Sequence, residues 1–147
     1  MDYYDVIINI NSIKNIIKGW EIKMSENGKK NYEKFKKEKV LRIGVLGNAN
    51  KGKTFLLSKI SKIDFPSETR IEGLSIKYLD LEIFKDRKIV LLDTRGFETP
   101  ILKEEDESQN IFREKSREKK LTEYFLDNYI INNSDILIIM VGNLTFS

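Results

Sequence analysis

The eight residues GNANKGKT, 47 to 54, follow the apolar run Val40-Leu41-Arg42-Ile43-Gly44-Val45-Leu46 and precede Phe55-Leu56-Leu57. Every fixed position of G-x-x-x-x-G-K-[ST] is filled, by Gly47, Gly52, Lys53 and Thr54. A buried strand that runs into a glycine-rich loop and then into a helix leaves few folds open, because the motif works only with a strand before it and a helix after it. The two glycines let successive backbone N–H groups turn inward, and the helix N-terminus adds partial positive charge at the same point. An anion, and a polyphosphate above all, is what such a cradle holds. Lys53 would reach its outer phosphates and the Thr54 hydroxyl would ligate Mg²⁺.

Composition removes several chemistries. The 147 residues include no Cys and no His, so disulfides, thiol nucleophiles, the usual zinc ligands and the usual general base are excluded. Lys and Arg number 26 against 23 Asp and Glu, a balance that gives no nucleic-acid signal. No apolar run approaches the roughly 20 residues of a membrane span, and MDYYDVIINI has acids where a secretory leader would have bases. An intracellular, cytoplasmic protein is expected.

Hydrophobic spacing orders the rest. Val6, Ile10, Ile13, Ile17, Trp20 and Met24 recur every three or four residues, which predicts an amphipathic helix that could bind a protein partner, broken at Asn27-Gly28. KKNYEKFKKEK, 29 to 39, reads as a second, solvated helical segment, so residues 1–39 are expected to form helices ahead of a nucleotide-binding domain at 40–147. In that domain we expect a strand at 40–46, a helix at 53–61, strands at 76–84 and 88–92 joined as a hairpin by KDRK, a helix at 113–131 and a buried strand at 135–141. Lys88-Ile89-Val90-Leu91-Leu92 ends in Asp93-Thr94-Arg95-Gly96, placing an acid at the carboxyl end of a strand, where ligands of open α/β sheets bind.

With GNANKGKT and DTRG forty residues apart, the chain resembles the P-loop GTPase superfamily from about Val40 to Val141. The resemblance implies a three-layer α/β P-loop fold with strand order two-three-one-four. Its sheet is mostly parallel with one antiparallel edge strand. It also implies GTP or GDP as ligand, Mg²⁺ as cofactor, and a hydrolytic conformational switch. Nucleotide contacts would fall to Gly47, Asn48, Asn50, Lys51, Gly52, Lys53, Thr54, Phe55 and the Gly96 N–H. Metal contacts would fall to Thr54, Asp93 and a switch threonine, Thr69, with Ser67 and Ser75 as rivals. Lys53, Asn50 and Thr69 would carry catalysis.

Asn50 in G-N-A-N-K-G-K-T is similar to the variant of Era-like GTPases, some of which hold K⁺ beside the phosphates. Asp-Thr-Arg-Gly-Phe is similar to the second switch of dynamin-like and guanylate-binding proteins, and the subfamily stays open. Phe97 stands where Ras-like enzymes carry a water-orienting glutamine, so turnover would need a cation near Asn50, a group such as Glu98, or a partner's residue. The chain departs from the superfamily at Gly142-Asn143-Leu144-Thr145-Phe146-Ser147, with no [NT]-K-x-D motif to read guanine. A fragment, or a domain incomplete at its C-terminus, is expected. A non-hydrolysing interaction module and an ATPase are the alternatives.

Overall fold

The computed structural model describes residues 4–47, 52–62, 73–80, 87–94 and 101–141. Among these residues six strands form one sheet: β1 (Val6–Asn9), β2 (Glu21–Met24), β3 (Val40–Gly47), β4 (Gly73–Leu79), β5 (Lys88–Thr94) and β6 (Ile136–Met140), in the order β2-β1-β4-β5-β3-β6. Three helices flank it, α1 (Glu26–Phe35), α2 (Lys53–Ser61) and α3 (Gln109–Asn133).

The expected order two-three-one-four is present as β4-β5-β3-β6, with β3 parallel to both β5 and β6 and β4 antiparallel to β5. Strand β4 begins at Gly73, three residues before the expected start, while 81 to 86 lie outside the described residues. It is not an edge, since β1 pairs antiparallel with it and β2 with β1.

The expected N-terminal amphipathic helix is corrected to a β-ribbon. Residues Val6 to Asn9 and Glu21 to Met24 are strands, separated by a 3-10 turn over Ile13–Lys18. Two local features override the helical spacing. Val6-Ile7-Ile8 is a β-branched run, which fits a pleated surface better than a helix. Gly19, at φ 78°, ends the 3-10 turn in a conformation that interrupts any helix. The predicted apolar stripe is divided accordingly, with Val6 buried and Ile17 93% exposed. The helix that does form starts earlier than expected and runs through Asn27-Gly28, because the Ser25 hydroxyl accepts the Gly28 N–H at 2.9 Å and caps it.

Side chains alternate across the sheet and fill a core on each face. On one side Leu41, Ile43, Val45, Ile89 and Leu91 pack beneath Leu57 of α2 together with Tyr4. On the other, Leu46, Leu74, Val90 and Leu92 pack against Leu126 and Ile130 of α3, Phe35 of α1 and Ile10. Each fully buried aliphatic side chain contributes about 1.5–3 kcal/mol. Close approach of α3 depends on Gly44, where an added Cβ would lie 2.1 Å from Ser134 Oγ and 2.5 Å from Ile130 Cγ2. Strand β6 is then locked onto β3 from its start, Asp135 accepting the Arg42 N–H at 2.8 Å and donating its own N–H to the Arg42 carbonyl at 2.8 Å. It is less buried than expected, Ile136 and Ile139 being exposed.

Candidate functional site

Three elements converge at the carboxyl ends of the parallel strands. Strand β3 ends at Gly47, whose partner across the sheet is Met140, and an added Cβ there would lie 2.7 Å from Met140 Cβ. Helix α2 opens at Gly52, which adopts a left-handed conformation at φ 84° and offers no side-chain cap. Its first four N–H groups therefore have no side-chain acceptor at the cap position and are directed to the same end of the sheet. Strand β5 brings Asp93 alongside Val45 of β3.

Lys53, the first residue of α2, extends from that corner to Asp93. Its Nζ lies 2.8 Å from Asp93 Oδ1 and donates to the Thr94 carbonyl. Lys53 is 8% exposed and Asp93 2%, so this is a buried ion pair. Burial pushes the Asp93 carboxyl above the ordinary carboxylate range, and the Lys53 charge opposes that rise most strongly. Asp93 has another donor in the Tyr4 hydroxyl, 2.9 Å from Oδ2. Burial, then the Asp93 charge, raises the Tyr4 phenol well above the usual tyrosine range, which keeps it protonated and donating.

A cavity of about 400 Å³ adjoins this pair on the α3 side, lined by Ile10, Thr94, Thr122, Leu126 and Asp127 among others. The Asp127 carboxyl is pushed up to about 6, first by burial and then by Glu123, with Lys53 acting in the opposite direction. The N-terminal ribbon is fastened to α3 beside the cavity, the Ile13 N–H bonding Thr122 Oγ1 at 3.0 Å and Lys14 pairing with Glu118 at 2.9 Å.

Of the residues expected from the sequence, Gly47, Gly52, Lys53 and Asp93 meet at one corner. Thr54 lies in the first turn of α2. Phe55 follows in the same turn, its ring 67% exposed with Lys59 Nζ 5.2 Å from the ring centre. Asn48, Asn50, Lys51, Ser67, Thr69, Gly96, Phe97 and Glu98 lie outside the described residues. Ser75, a rival for the switch hydroxyl, is fully buried within β4 opposite Asp93, which rules out a loop role. Sequence reasoning missed Tyr4 and Asp127. For Tyr4 the available signal was the β-branched run that follows it, since a strand there would have carried it into the sheet.

Among the described residues no three acidic side chains gather as a metal cluster. Nor, among the described residues, is any helix long and apolar enough to cross a membrane.

A heat shock protein of Dictyostelium discoideum is 28% identical over 160 residues, which take in 98% of this chain and 23% of that protein. The chain thus spans about a quarter of the length of the curated relative it matches. The family described as 50S ribosome-binding GTPase matches residues 42–145, a span that holds the glycine-rich loop, the Lys53–Asp93 pair and β6. On that match, over most of its length, the chain belongs to this GTPase family.

Proposed function

We propose that this domain binds GTP and GDP with Mg²⁺ at the corner of β3, α2 and β5, and that it hydrolyses GTP as a conformational switch. The observation that carries the reading is the buried Lys53–Asp93 pair at the uncapped, glycine-led N-terminus of α2. A buried ion pair is weak support for stability alone, because desolvating two charges costs about what their attraction returns. At a strand end beside a helix N-terminus, the same two charges suit a phosphate and its metal.

Lys53 would hold the outer phosphates, and Thr54 and Asp93 would hold Mg²⁺, the second through water. Bound Mg²⁺ supplies positive charge against the phosphate oxygens as the transferring group takes up charge. The polar segments that join α2 to β4 and β5 to α3, with Thr69 and Gly96, would respond to the γ-phosphate. Turnover by this chain should be slow, because Phe97 offers no hydrogen bond to water, and Asn50 would then hold a K⁺ ion that assists.

Lys53→Ala removes a charge-assisted contact of about 1.5–3 kcal/mol, so affinity for a fluorescent GTP analogue should fall at least about tenfold. Equal affinity in the native chain and the variant would retire the site. Single-turnover hydrolysis in KCl and in NaCl at matched ionic strength tests the Asn50 cation. Identical rates remove it, and binding without turnover in either salt favours a non-hydrolysing interaction module.

A further inference from the structure

Asp93 is held from outside the segment that matches the GTPase family. Its Oδ2 accepts from Tyr4, which precedes β1 and lies 89 residues away in sequence. Ser75, directly opposite Asp93 on β4, is fully buried, yet its hydroxyl has no hydrogen-bond partner among the described residues.

Tyr4 itself has little freedom. Its ring is buried in the core cluster with Leu41, Val45, Leu57, Ile89 and Leu91. The next residue fixes the backbone: the Asp5 N–H bonds the Ile76 carbonyl at 3.0 Å, and its carboxylate accepts from the Tyr78 N–H at 2.7 Å and from Asn31 Nδ2 at 3.0 Å. A hydroxyl placed this rigidly fixes the plane and orientation of the carboxylate it touches. Lys53 Nζ lies against the other oxygen, Oδ1.

We propose that Tyr4 is a positioning residue for Asp93. The N-terminal ribbon thereby sets how much Mg²⁺ the nucleotide site requires. This rests on the role given to Asp93 above. Groups that orient a metal's ligands without touching the metal commonly alter its affinity by roughly 10–100-fold when removed.

Tyr4→Phe deletes the hydroxyl and keeps the ring in the core. In the full chain, the Mg²⁺ concentration that half-restores binding of a fluorescent GTP analogue should rise roughly tenfold, while affinity in excess EDTA stays at the native value. In an Asp93→Asn background the same change should add nothing, because both act on one contact. Thermal unfolding of each protein is followed in parallel. A native Mg²⁺ midpoint in Tyr4→Phe, with or without a lower melting temperature, overturns the proposal and leaves the GTP site standing. Proportional losses with and without Mg²⁺, or full additivity with Asp93→Asn, overturn it too, since those report a loosened fold. A native chain that binds no nucleotide, or binds it without regard to Mg²⁺, removes the site and the proposal together.

Discussion

Asp5 and Asp93 are both 2% exposed, yet the two halves of the sheet use them differently. Asp5, in the antiparallel half, is satisfied by the Tyr78 backbone N–H and the Asn31 side chain, with Lys77 Nζ 3.7 Å away. Asp93, in the parallel half, has the Thr94 backbone beside it but is met chiefly by the tips of two long side chains, Lys53 and Tyr4. A carboxylate bonded to backbone fixes where strands and helices sit. One bonded to side-chain tips can exchange those partners for a ligand. Burial alone therefore does not separate an acid locked to the frame from one whose partners can be exchanged.

The largest expected effect tests the first half of that contrast. Asp5→Ala leaves the Tyr78 N–H and the Asn31 amide without their acceptor and removes the link from the ribbon to α1, which should cost about 3 kcal/mol in chemical denaturation. A loss below about 1 kcal/mol would mean that water or a shifted chain replaces the carboxylate, and the distinction between the two aspartates would fail.

Two glycines sharpen the comparison. An added Cβ at Gly28 would lie 2.0 Å from the Asp5 carbonyl oxygen, a backbone atom fixed within the ribbon. At Gly44 it would meet Ser134 Oγ and Ile130 Cγ2, both side-chain atoms. Ser134 can turn away at the cost of its hydrogen bond to the Ile130 carbonyl. Gly28→Ala should therefore destabilise by about 2–3 kcal/mol, even after its helical gain, and Gly44→Ala by about 1–2 kcal/mol. The reverse ranking in paired urea titrations would show that the parallel half is the more rigidly packed one.

The smallest effect is a gain. Because the folded-state pKa of Asp127 is raised to about 6, the folded protein holds a proton there that the unfolded chain has released. Stability should fall as pH rises from about 4 to about 6, and the penalty should be complete above that window. Asp127→Asn should remove it, stabilising the protein by about 1 kcal/mol at pH 7, after discounting for solvent entering from the cavity, and by nothing near pH 3.5. A stability difference that does not change with pH would show that the carboxyl is not held protonated by its surroundings.

Local signals made half of this molecule legible. The strand, glycine loop and helix from Val40 to Ser61 occupy contiguous positions, so spacing and turn chemistry suffice to place them, and α2 has the expected bounds. The hairpin of β4 and β5 followed from the short link KDRK, which permits only antiparallel pairing. The N-terminal segment was misread because apolar residues spaced by three and four fit a helix, while their actual environment is set by pairing with β4, more than sixty residues away. The expected order two-three-one-four already set β6 at an edge, whereas the apolar run by itself read as a fully buried strand.

The sequence by itself determined the corner of β3, α2 and β5: Gly47, Gly52, Lys53 and Asp93 are placed by strand ends and a helix start that each form from neighbouring residues. Only the tertiary structure decided which groups surround that corner. Tyr4 reaches Asp93 because β1 adds to β4, and Asp127 faces the cavity because Gly44 admits α3 against β3. Those contacts depend on long-range pairing and packing, for which residue type and spacing carry no local record.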